Sequence, residues 1–71
     1  KTADIQLEMI EAVDKFMDQA LKDAGQGFEA GEYEVEFDNG VYVVSVEVVN
    51  GNKDISYKYE FETGKLIEKD M

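Results

Sequence analysis

Seventeen Asp and Glu residues and seven lysines dominate the reactive side chains of this 71-residue chain, which contains no histidine and no cysteine. The usual general bases and the thiol nucleophile are therefore missing, and a Cys/His zinc site is excluded. What remains is carboxylate chemistry. The strand pattern derived below sets Glu32, Glu47 and Asp54 in one row across three strands. Carboxylate oxygens are the donors that hard cations such as calcium prefer. The alternative is a solvated acidic rim, and no calcium-loop spacing accompanies the row. Ser45 and Ser56 are expected to face each other across two strands, again with no base beside them. Gly25-Gln26-Gly27 is too short for a phosphate loop and follows a helix instead of preceding one. The expectation is a protein that is not an enzyme and carries no cofactor.

These side chains need elements to hold them. Ile5, Met9, Val13, Phe16, Ala20 and Ala24 recur at spacings of three and four, and Ile10, Met17 and Leu21 widen the stripe. This is helical periodicity and predicts a helix over about 3–24. Asp4, Glu8, Glu11, Lys15, Asp18 and Lys22 fall on the opposite face, with Glu11–Lys15 and Asp18–Lys22 as i,i+4 pairs in the favourable order. Thr2 is a candidate cap, Asp4 suits the positive end of the helix dipole, and Gly25 offers a left-handed stop. Leu7 points off the stripe and is expected to be exposed.

After the helix the period changes to two. Tyr33, Val35 and Phe37 alternate with Glu32, Glu34, Glu36 and Asp38. Asn39-Gly40 and Asn50-Gly51 are the strongest short hairpin signals. Two-residue loops there predict Phe37 opposite Tyr42 and Val35 opposite Val44, then Val46 opposite Ile55 and Val44 opposite Tyr57. Strands are expected at about 32–38, 41–49, 53–62 and 65–69, the last turned by Thr63-Gly64 so that Leu66 lies beside Phe61. The fold class is thus α+β: one N-terminal helix packed on one face of a three- to four-stranded antiparallel meander, as a single domain over 1–71. The inner face, Tyr33 to Leu66, is expected to be spent on the helix.

The outer face carries Val41, Val43 and Val49, with Ile67 expected beside Val41 and a row reading Glu36, Val43, Lys58. These residues form a candidate partner patch. Ordinary β-propensity of valine is the alternative. A net charge of −10 argues against nucleic acid and against anionic membrane surfaces. No apolar run approaches membrane-spanning length, and no signal-peptide core is present. An opening Lys1 in place of Met is expected of a processed product.

Several segments together carry a resemblance. Ala20-Leu21 with Ala24-Gly25, Tyr42-Val43-Val44, Asn50-Gly51, Tyr57-Lys58-Tyr59-Glu60-Phe61 and Thr63-Gly64-Lys65-Leu66-Ile67 follow one another as in a PepSY domain, which the chain resembles over nearly its whole length. One departure is that Phe61-Glu62 runs straight into Thr63, where the family usually has an Asp-containing stretch. The resemblance implies a non-catalytic, extracytoplasmic bacterial module, secreted or at the cell surface, that binds or restrains a peptidase. Two other functions stay open: a structural or weakly self-associating domain, natural or designed, and an acidic cation-binding domain.

Overall fold

The computed structural model describes the backbone of residues 2–71 and the side chains of residues 7–71. The order is α1 (Thr2–Ala24), β1 (Glu29–Asp38), β2 (Val41–Asn50), β3 (Lys53–Glu60) and β4 (Leu66–Asp70). The strands form one antiparallel sheet in the order β1-β2-β3-β4, and the helix packs on one face of it. The proposed Thr2 cap, Asp4 and Ile5 lie outside the described side chains.

The helix ends where Gly25 takes φ 104° and its N–H donates to the Leu21 carbonyl at 3.1 Å. Val13, Phe16 and Ala20 are buried, while Met9, Ala12, Met17, Leu21 and Ala24 are partly buried around them. Phe16 stacks on Tyr59 with ring centroids 4.6 Å apart and planes 4° from parallel. Val44, Val46, Val48, Ile55 and Tyr57 complete the core. Leu7 is exposed, as its off-stripe position predicts.

The first hairpin has the predicted register: Asp38 meets Val41, Phe37 meets Tyr42, Val35 meets Val44 and Tyr33 meets Val46. Asn39 and Gly40 both adopt positive φ, 53° and 80°. That double left-handed turn matches the twist of the flanking strands.

The second hairpin differs by two residues. Asn50 pairs with Lys53, so the loop is Gly51-Asn52, and Val48 meets Ile55, Val46 meets Tyr57 and Val44 meets Tyr59. Gly51 has φ 62° and Asn52 is not left-handed, so the turn is led by glycine. A two-residue offset keeps every side chain on its expected face. It does change every cross-strand neighbour.

Two irregularities sit on the edge strands. β1 starts at Glu29, three residues earlier than the pattern predicts. Ala30 pairs with Val48 and Tyr33 with Val46, so Gly31 and Glu32 share the place opposite Glu47. A Cβ at Gly31 would lie 2.9 Å from the Glu47 carbonyl oxygen, closer than real Cβ contacts come. In β4, Leu66 lies opposite Tyr59, not beside Phe61, and Ile67 is the extra residue of a bulge. The cause is a longer turn. Glu60 N–H donates to the Lys65 carbonyl and Gly64 N–H to the Glu60 carbonyl, both at 2.8 Å, which leaves residues 61–64 as the loop. Thr63 stiffens it, its hydroxyl donating to Glu60 Oε1 at 2.9 Å and accepting from Lys65 N–H at 3.2 Å.

Candidate binding surface

One helix cannot cover four strands. A helix with its side chains is about 10–12 Å across. Four strands spaced by about 4.8 Å spread over about 14 Å between the outer axes, before side chains are added. α1 lies chiefly along β2, with less contact to β1 and β3. The inner face is therefore only partly spent on the helix, which buries Val44, Val46, Val48, Ile55, Tyr57 and Tyr59. Tyr33 and Phe37 point to the helix side of the sheet yet stay 62% and 64% exposed, and Ile10 on the helix stays 60% exposed. Between them runs an apolar groove of about 370 Å³ lined by Met9, Ile10, Val13, Asp14, Tyr33 and Val35. Phe37, Tyr42 and Phe61 extend the strip as an aromatic run, with ring centroids 4.8 and 6.4 Å apart. Tyr42 and Leu66 are also exposed, although the alternation assigns them to the core face.

Among the outward valines, Val41 and Val43 are neighbours on one face of β2, while Val49 stands apart beyond Ser45 and Glu47. Val41, Val43 and Val49 are half-buried on β2. Val41 is paired with Asp38, Val43 lies between Glu36 and Glu60, and Val49 lies between Glu29 and Asp54. Lys58 belongs to a different row, with Ser45, Glu34 and Glu68 as neighbours, because of the two-residue offset of the second hairpin. Ile67 is not beside Val41: β4 pairs with β3, and a whole strand separates it from β2.

The acidic residues come together in part. Glu47 lies opposite Ser56, with Asp54 one step further along the same face instead of directly across. Interaction with the Asp54 carboxyl pushes the Glu47 carboxyl above its ordinary range, and desolvation and the charges of Asp54 and Glu32 act the same way. Among the described residues, no group of three or more acidic side chains is placed to hold a metal ion. Ser45 lies opposite Lys58 and Ser56 opposite Glu47, so the two serines do not face each other.

One cluster escaped the sequence reading. Asp23, in the last helical turn, accepts hydrogen bonds from Tyr57 Oη and Lys69 Nζ, each at 2.8 Å. The Lys69 ammonium also sits 5.5 Å from the centre of the Tyr57 ring. The Lys69 contact, then the Tyr57 hydroxyl, hold the Asp23 carboxyl below its ordinary value. Burial, then the Asp23 carboxylate, drive the Tyr57 hydroxyl well above the usual tyrosine range. No periodic pattern announces this contact, since the partners are 34 and 46 positions apart.

Comparison with protein-family models, with curated proteins and with solved structures returned no match to this chain. Among the described residues, no helix is long and apolar enough to cross a membrane.

Proposed function

We propose that the chain is a non-catalytic protein-binding module, PepSY-like in character, that works outside the cytoplasm and restrains a peptidase. The observation that carries the binding reading is the open half of the sheet's inner face. Tyr33, Phe37 and Ile10 expose apolar area on rigid elements around a groove. Exposed apolar area next to a groove is what a partner surface offers. Strand side chains lose little freedom on contact, which limits the entropy cost of docking. The non-catalytic reading rests on the composition. Histidine and cysteine, the usual base and thiol nucleophile, are absent, and Ser45 and Ser56 lie opposite Lys58 and Glu47. The peptidase target and the location rest on the sequence resemblance alone.

The test is direct. Purified secreted bacterial peptidases are assayed with the domain at micromolar concentration, on a protein substrate and on a small chromogenic peptide. Saturable inhibition of at least one enzyme, without cleavage of the domain itself, is expected. Full activity across the set, or inhibition explained by the domain acting as a competing substrate, would remove the peptidase reading.

A further inference from the structure

The exposed strip borders the free edge of β1, and the chemistry of that edge names an occupant. β1 is the first strand of the sheet, so one side has no partner. The turn closes on Asp38 and Val41. Hydrogen-bonded and non-bonded pairs alternate along an antiparallel ladder. The backbone groups of Glu34, Glu36 and Asp38 therefore point at β2, and those of Tyr33, Val35 and Phe37 point at the open side. Tyr33 and Phe37 carry exposed apolar side chains, and Tyr33 with the half-buried Val35 forms one wall of the groove. On the other face of the strand stand Glu32, Glu34, Glu36 and Asp38, all exposed. The only ion pair among the described residues is Lys69–Asp23, at the far edge, so none of these four carboxylates is held in an ion pair.

We propose that β1 receives one extended, lysine- or arginine-bearing segment of a partner polypeptide as a fifth strand. This deepens the binding-module reading above and rests on it. A strand added to an edge continues both faces of the sheet, so its residues alternate between them. Apolar residues of the segment cover the groove beside Tyr33 and Val35. The intervening basic residues lie over Glu34 and Glu36. A second copy of this chain is a poor occupant, because pairing β1 with β1 would set carboxylates beside carboxylates across the ladder. β4 is a poor alternative edge. It is five residues long, interrupted by the bulge at Ile67, mixed in charge, and its Lys69 is held by Asp23.

The probe is a blocked ten-residue peptide of alternating lysine and valine, used where sedimentation shows it monomeric. Three controls accompany it: the same composition in block order, the alternating peptide N-methylated at every second residue, and an alternating glutamate–valine peptide. Binding is followed by amide chemical shifts of the domain. The expected result is saturable binding with shifts confined to Tyr33–Asp38 and Met9–Val13. N-methylation should weaken it about tenfold or more, and the E34K/E36K double variant should do the same at an unchanged melting temperature. Equal binding of the block or N-methylated peptide would overturn the added strand, as would shifts centred on Val41, Val43 and Val49, or no binding at all. Running E34K/E36K in the peptidase assay separates the two levels. If that variant inhibits as well as the parent, the edge proposal falls while the binding module stands.

Discussion

Tyr57 donates a 2.8 Å hydrogen bond to Asp23, and that contact ties the last turn of the helix to the third strand. An acid in the last helical turn faces the negative end of the dipole and is unfavourable there alone. Tyr57 and Lys69 offset this from two different strands. Tyr57 is fully buried, and Asp23 is the acceptor that its hydroxyl finds. Tyr57→Phe keeps the packing and removes the bond. It should cost about 1 kcal/mol, a fall in Tm of roughly 4–8 °C for a domain of this size. Thermal unfolding by circular dichroism checks it, and an unchanged Tm would mean the contact is idle in solution.

The two perturbed carboxylates should give opposite pH dependences. Asp23 is held below its ordinary value, so its contribution is present above the ordinary carboxylate range and is lost as pH falls through the lowered value. Glu47 is raised, so the folded state binds more protons there than the unfolded chain, and stability falls as pH rises through the window between the ordinary and raised values. Glu47→Gln should therefore raise Tm near neutral pH and lose that advantage at about pH 3, below the carboxylate range. Asp23→Asn should lower Tm near neutral pH, with the difference shrinking in acid. Tm measured across pH for both variants reports the two signs separately.

Core and outward positions on β2 should respond differently to truncation. Val46 is buried against the helix side, whereas Val43 is half-buried and faces Glu36 and Glu60. Val46→Ala should cost about 2 kcal/mol, and Val43→Ala less than about 1 kcal/mol. Equal losses in urea unfolding would contradict the assignment of faces.

Much of this architecture is legible in the residues, and the exceptions have physical causes. The Phe37–Tyr42 register follows from Asn39-Gly40, where both residues accept positive φ. The second turn is ambiguous because Asn50-Gly51 and Gly51-Asn52 are both acceptable two-residue loops, and they preserve the same faces. Alternation therefore predicted burial of Val44 and Val46 correctly while misplacing the partners of Lys58 and Asp54 by two residues. Gly31 reads as loop, because a bulge that needs a missing Cβ leaves no periodic trace. The open strip was hidden for a different reason. Alternation tells which face of β1 is apolar, but Tyr33 and Phe37 stay exposed because a single helix runs over β2. The Asp23–Tyr57–Lys69 contact needs three elements already in place.

Calcium should have little specific effect. Glu47, Asp54 and Glu32 repel one another, and added salt relieves that by screening alone. Millimolar calcium is expected to raise Tm no more than sodium chloride of the same ionic strength. A saturable calcium-dependent rise abolished by Asp54→Asn would instead establish a cation site.

The proposed partner surface is the uncovered half of the helix-side face and not the outward valines. Inhibition of a responsive peptidase by Phe37→Lys and by Val43→Lys, measured side by side with the parent, tests it most directly. Phe37 is largely exposed, so the first variant should keep its Tm within a few degrees while raising the inhibition constant about tenfold or more. Val43→Lys should inhibit like the parent. Undiminished inhibition by Phe37→Lys together with a loss in Val43→Lys would contradict the account and place the partner on the outer sheet face.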